Sequence, residues 1–127
     1  MSHFTTIKTE IFDLEILKET LSDLRIGFEE GEKIQGFEGQ REVVDIAVKL
    51  DGRFQMGFKY NRQKGCYELR GPKEFVHQTE SRQIIDRIRQ EYAYRKVLVE
   101  TRKRGFSLIQ EERVKPGIIK LVLKKVA

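Results

Sequence analysis

The chain has 127 residues, 39% of them hydrophobic and 35% charged, and a formal net charge of +5 at neutral pH. A chain of this length buries enough surface for one core, so we expect a single domain across residues 1–127. The longest uncharged apolar run has about five residues against the roughly 20 that a spanning helix needs, which excludes membrane insertion. The lone Cys66 excludes an internal disulfide and a cysteine-based metal cluster.

The first third of the chain predicts a strand, a helix and a loop. Residues 3–11 alternate as in a strand, and the amino terminus shows no apolar signal block or Arg-rich transit run, so we expect no cleaved targeting segment. Asp13 is a candidate N-cap, and leucines spaced by three and four give residues 14–24 one apolar helical face. Residues 26–28 predict a short strand, and the glycine-rich residues 31–40 predict a loop.

The middle of the chain predicts a β-hairpin followed by one more strand. Apolar residues alternate with polar ones in residues 44–50 and again in residues 54–60, and the pair Asp51-Gly52 between them is typical of a tight hairpin turn. Residues 61–65 turn the chain again. Residues 66–70 then return as a third strand of the meander.

The last third predicts a long helix and two strands. The helix covers residues 81–104, with Thr79 or Ser81 as its N-cap and Gly105 in the closing position. Strands follow at residues 106–114 and 118–126, joined by the turn at residues 115–117, where Pro-Gly favours type II. This order of elements, with short connections, predicts an α+β fold in two layers: a mostly antiparallel sheet covered on one face by two helices.

The long helix has an apolar stripe and a basic one. At about 100° per residue, the core face holds Ile84, Ile85, Ile88, Tyr92 and Val99, with Leu98 at its edge. Cations recur at every seventh residue and form a stripe about 31 Å long: Arg82, Arg89, Lys96 and Lys103.

The basic stripe supports two interpretations. One is a polyanion-binding surface, to which the rings of Tyr92 and Tyr94 and the cations Arg62 and Lys64 of a predicted hairpin tip would contribute. It draws on charge asymmetry, since residues 1–80 carry 12 basic and 15 acidic side chains whereas residues 81–127 carry 13 and 5. Any nucleic-acid binding would then be weak in specificity and strongly salt-dependent.

The other interpretation is a solvated helix face. Glu91 is placed to pair with Arg95, and Glu100 with Lys96 and with Lys103 or Arg104. We favour this interpretation, because acidic residues dilute the positive potential and no RNA-recognition, KH or zinc-finger motif accompanies the stripe.

Catalytic and metal-binding patterns are missing from the sequence. His3 and His77 have no His, Cys or Asp at metal-ligand spacing, and the glycines of residues 31–40 do not follow a phosphate-binding pattern. The acidic residues around those glycines are typical of a solvated loop. We therefore expect no enzyme activity, no catalytic residues, no metal and no cofactor.

Several segments spread over nearly the whole chain carry a resemblance: MSHFTTIKT, GFEGQ, MGFKY before YEL, YAYRKVLVETRKRGFSLIQEE and GIIKLVL. They resemble the hypothetical chloroplast reading frame family numbered thirty-five. That family occurs in cyanobacteria and in plastid genomes, chiefly of algae, and has no established activity. The resemblance implies a location in the plastid stroma or the cyanobacterial cytoplasm, and it supplies no catalytic residues.

These observations lead to two hypotheses about function. The first is a non-catalytic accessory protein, an assembly or regulatory factor that presents its sheet face or its basic helix to a protein partner. The alternative is a weakly specific RNA-binding module. The sequence favours neither a monomer nor a homo-oligomer.

Overall fold

The computed structural model describes residues 4–115 and 118–126. Its helices are α1 (Leu14–Asp23), the short α2 (Lys73–Val76) and α3 (Thr79–Lys103). Its strands are β1 (Phe4–Ile11), β2 (Gly27–Glu30), β3 (Lys33–Gln35), β4 (Arg41–Val43), β5 (Ile46–Leu50), β6 (Arg53–Asn61), β7 (Cys66–Pro72), β8 (Phe106–Lys115) and β9 (Ile118–Lys125).

The predicted α+β fold is confirmed. Within the described residues, five strands form an antiparallel sheet in the order β1-β7-β6-β5-β2. The hairpin between β5 and β6 turns at Asp51 and Gly52, whose φ angles of 50° and 75° lie in the left-handed region that such a turn requires. Strand β1 therefore lies at one edge of this sheet and β2 at the other.

The main core lies between one face of the sheet and the helices α1 and α3. Side chains of β5, β6 and β7 meet those of both helices, and the fully or nearly fully buried set includes Leu17, Leu21, Ile46, Val48, Met56, Leu69, Ile85 and Ile88. The predicted core stripe of α3 is confirmed, since Ile85, Ile88 and Tyr92 are buried and Ile84 and Val99 pack against the same cluster. Asp13 caps α1 as predicted, because its Oδ1 accepts a hydrogen bond of 3.1 Å from the amide of Ile16.

A second, smaller core covers part of the other sheet face. Strands β3 and β4 pair antiparallel, so the predicted loop over residues 31–40 is wrong for residues 33–35, which form β3. Ile34 and Val44 are buried with Ala47. Ala47 alternates with inward-facing Ile46 and Val48 and therefore points to the opposite side of the sheet.

A β-bulge explains why one predicted alternation is wrong. Val48 pairs with Met56 but Lys49 pairs with Phe54, so Gln55 is the extra residue on β6. The bulge turns Phe54 to the smaller core, whereas Met56 and Phe58 face the main core. The strict period of two expected for residues 54–60 therefore holds only after the bulge.

The last two strands form a hairpin of their own. Strands β8 and β9 pair antiparallel, with Leu108 opposite Leu123, and constitute a separate two-stranded sheet. Gly105, with a φ of 82°, separates α3 from β8 as predicted. The predicted Pro116-Gly117 turn lies outside the described residues, as does His3.

The start of α3 differs from the prediction. The helix begins at Thr79, and its N-cap is Gln78, whose side chain makes no capping hydrogen bond. Ser81 is 3% exposed and lies inside the first turn. The helix therefore begins two residues before Ser81 and without a side-chain cap.

Candidate functional site

The predicted basic stripe of α3 is divided among different contacts. Arg89 donates a hydrogen bond of 2.7 Å from Nη2 to the carbonyl oxygen of Lys8 on β1. Lys96 lies 3.2 Å from a carboxylate oxygen of Glu100, as predicted, and its Nζ stands 4.7 Å from the ring centroid of Phe12. Lys103 approaches the same carboxylate at 3.9 Å. These cations are thus engaged by the protein itself.

The remaining predicted cations lie elsewhere. Arg82 is exposed in the first turns of α3, and Arg62 is exposed in the loop between β6 and β7. Lys64, in the same loop, pairs with Glu68 at 3.4 Å. Of the six predicted residues, Arg89 and Lys96 line one common groove, and the other four lie outside it.

One expectation about this helix, the pairing of Glu91 with Arg95, was wrong. Glu91 pairs with Arg113 of β8 at 2.7 Å, and Arg95 pairs with Asp23 of α1, so these two neighbours do not pair with each other. The helix therefore uses its charges to hold α1 and the last hairpin.

Neither tyrosine is free to stack on a base. The ring of Tyr92 is 3% exposed. Tyr94 donates a 2.7 Å hydrogen bond to Glu111, and its ring lies 5.6 Å from the Arg113 guanidinium carbon. The hydrogen bond to Glu111 raises the pKa of Tyr94 above its ordinary value. Stacking by these two rings, which the polyanion interpretation offered as a contribution, does not fit these contacts.

The groove lies between edge strand β1 and helix α3 and has a volume of about 690 Å³. Five consecutive residues of β1 and its end form one wall, from Lys8 to Phe12. The helix forms the other wall with Arg89, Tyr92, Ala93, Lys96 and Val97. Among the described strands, β1 pairs with β7 alone, so its second edge faces this groove.

Exposed apolar side chains and cations share the walls of the groove. Phe12 is 53% exposed and Val97 is 42% exposed. Among the described residues that line the groove, Lys8, Arg89 and Lys96 are cations and Glu10 is the single carboxylate. The groove is therefore positively charged, with hydrophobic patches on both sides.

Tyr92 holds one end of the groove together. Its hydroxyl oxygen accepts hydrogen bonds from the backbone amides of Phe12 at 3.1 Å and of Asp13 at 3.0 Å. These amides lie at the corner where β1 passes into α1. One buried side chain of α3 thus fixes the corner that presents Phe12.

Sequence reasoning missed Lys8, Phe12 and Val97 as members of a site. A signal was present for Phe12, because it directly follows inward-facing Ile11, and consecutive residues of a strand point to opposite sides. The edge position of β1 depends on strand order, which the periodicity of a strand does not report.

An ion pair on the opposite sheet face attaches β4 to β7. Arg70 donates to both carboxylate oxygens of Glu42, at 2.8 and 2.7 Å, and also to the hydroxyl of Thr6 on β1. Its guanidinium lowers the pKa of Glu42. This contact fixes the small hairpin over the second sheet face and is separate from the groove.

The described residues hold no group of three or more His, Cys, Asp or Glu side chains arranged to bind a metal ion. Within the same part of the chain, no helix is both long enough and apolar enough to cross a membrane.

Fold and groove together define the class: an α+β protein that leaves one sheet edge open beside a long helix. The chain belongs to the family described as a protein of unknown function, DUF1257, whose model matches residues 20–122. The resemblance seen in the sequence is thereby confirmed.

Relatives match along nearly their full length. The chain is 35% identical to the uncharacterized protein ycf35 of Pyropia yezoensis and 33% identical to that of Cyanophora paradoxa, with 98% of each chain covered. It is 32% identical to the ycf35 protein of Guillardia theta over the same share of both chains. No solved structure matches the chain.

Proposed function

We propose that this protein is a non-catalytic accessory factor that acts by binding a protein partner in the groove between β1 and α3. The observation that carries the proposal is an open sheet edge beside two exposed apolar side chains, Phe12 and Val97. Protein-binding surfaces combine exposed apolar patches with polar rims. The cations Lys8, Arg89 and Lys96 supply such a rim here.

The location that we propose for this accessory role is the plastid stroma or the cyanobacterial cytoplasm. The relatives that carry the ycf35 name support a plastid setting. The partner is accordingly sought in a plastid or cyanobacterial extract.

A matched pair of variants tests partner binding. Phe12 and Phe37 are the same residue type and are 53% and 52% exposed, but Phe37 lies in the turn between β3 and β4, away from the groove lining. We expect immobilised wild-type protein and Phe37→Asp to capture the same partner from the extract, and Phe12→Asp to lose it. Equal capture by all three proteins contradicts the proposal.

The RNA-binding alternative is tested by titration with labelled RNA at low and moderate salt. If RNA is the ligand, reversing the charges of Arg89, Lys96 and Lys103 weakens binding, and affinity falls steeply with salt. Absence of binding at low salt removes this alternative. The exposed apolar side chains of Phe12 and Val97 beside these cations favour the protein partner.

A further inference from the structure

We propose that the groove binds an extended acidic segment of the partner, which adds to the edge of β1 as a further strand. This inference rests on the proposed function and specifies what the partner presents. The feature that carries it is one groove that combines the outer edge of β1, an excess of cations and the exposed apolar side chains of Phe12 and Val97.

The backbone of β1 is the first part of the argument. An edge strand presents amide and carbonyl groups that another chain can pair with, and extended peptides bind many proteins in this way. The carbonyl of Lys8 points away from β7, because it accepts a hydrogen bond from Arg89 on α3. An outward-facing backbone acceptor is thus present in the groove, and a side chain occupies it in the free protein.

Arg89 connects strand addition to charge. A peptide that pairs with β1 takes over the hydrogen bond to the Lys8 carbonyl and releases the guanidinium. The released group is then beside the peptide, where it binds a carboxylate through two parallel hydrogen bonds. An acidic side chain therefore replaces the contact that Arg89 gives up.

The lining limits the length and pattern of the segment. The groove is lined by residues 8–11 of β1, whose pairing with β7 shifts register between Ile7 and Ile11, and by Phe12 directly after the strand. At about 3.3 Å per residue, an extended segment of about five residues spans about 13 Å along this wall. Alternate side chains of a strand point to opposite sides. Each wall of the groove holds at least one cation and one exposed apolar side chain, Lys8 with Phe12 on one wall and Arg89 and Lys96 with Val97 on the other, so the segment needs both acidic and apolar residues.

Charge also decides against a second copy of this chain as the occupant. The described lining has three cations and one carboxylate. Two copies that paired edge to edge would bring their positively charged grooves together, and like charges across a strand pair are unfavourable. An acidic segment instead neutralises the excess positive charge.

The test uses a fluorescein-labelled octapeptide of alternating Asp and Val, followed by fluorescence anisotropy. We expect saturable binding to the wild-type protein and at least tenfold weaker binding after Lys8→Glu or Arg89→Glu. The matched controls Arg62→Glu and Lys64→Glu, which reverse cations outside the groove, are expected to change affinity less than twofold. Lys8→Glu keeps the test valid if Arg89→Glu unfolds, since the Lys8 residue is exposed.

Two peptide controls separate strand addition from simple charge attraction. The same octapeptide with alternate backbone nitrogens methylated keeps its charge but cannot donate those hydrogen bonds, and we expect at least tenfold weaker binding. A Lys-Val octapeptide is expected not to bind. In hydrogen exchange, the amides of β1 are expected to slow when the Asp-Val peptide is added.

The proposal is overturned if the methylated peptide binds as tightly as its parent, if a labelled oligouridylate displaces the peptide and binds more tightly, or if ultracentrifugation shows a dimer that excludes the peptide. Partner capture distinguishes a failure of strand addition from a failure of the proposed accessory function. Partner capture that depends on Phe12, together with absent peptide binding, retains the accessory role and rejects strand addition. Capture that is independent of Phe12 rejects the accessory role.

Discussion

Replacing Tyr92 by Phe should destabilise the protein by removing one oxygen atom. The hydroxyl accepts hydrogen bonds from the amides of Phe12 and Asp13, at 3.1 and 3.0 Å. A hydrogen bond contributes about 1 kcal/mol net, so losing both acceptor contacts lowers the free energy of unfolding by about 2 kcal/mol. The ring is retained, so no cavity adds to this loss.

The same change two residues further along the helix provides the control. The Tyr94 hydroxyl donates to exposed Glu111, and surface contacts of this kind contribute little, so Tyr94→Phe should cost less than about 0.5 kcal/mol. Urea denaturation followed by circular dichroism measures both variants. Equal stability losses would refute the reasoning, because they would show that the Tyr92 hydroxyl does not fix the corner between β1 and α1.

Two further predictions concern the opposite face of the sheet. Arg70 lowers the folded-state pKa of Glu42 below the ordinary 4.5, so the stabilisation by this pair is present above that pH and is lost as pH falls through the folded-state pKa. Glu42→Gln should therefore have a lower free energy of unfolding than wild type at pH 7, and the gap between the two free energies should narrow toward pH 3. A gap that stays the same at every pH in urea titrations contradicts this. Gly57→Ala should cost about 1–3 kcal/mol, because a Cβ there would lie 2.5 Å from Val44 Cγ2 and 2.6 Å from the Ile46 oxygen. Gly27→Ala is the control, because a Cβ at Gly27 makes only ordinary contacts of 3.6 Å or more, and its thermal stability should stay near that of wild type. Equal losses of thermal stability in the two variants would argue against crowding at Gly57.

Local patterns in the sequence predicted the elements whose formation depends on near neighbours. The N-cap of Asp13 joins residues three positions apart, and the ion pair of Lys96 with Glu100 joins residues four apart on one helix face. The turn at Asp51-Gly52 also depends on adjacent residues with a left-handed backbone. These contacts arise wherever the segment folds locally, so periodicity and residue type were sufficient to predict them.

The candidate groove could not be predicted in this way. Its Arg89 reaches the carbonyl of Lys8 across 81 positions of sequence, and Tyr92 reaches the amide of Phe12 across 80. A stripe of cations on a helix shows where charge lies, but the neighbouring element decides whether each cation meets a carbonyl, a carboxylate or solvent. That neighbour is known only once the order of strands is known.

The sequence by itself determined the α+β class, the amphipathic face of each main helix and the central hairpin, because each follows from the spacing of apolar side chains. Tertiary structure alone decided that β1 lies at a sheet edge, that the bulge at Gln55 turns Phe54 to the second face, and that Glu91 pairs with Arg113. Spacing specifies which face of an element is apolar; the packing of distant elements specifies what that face, and the polar face behind it, will contact.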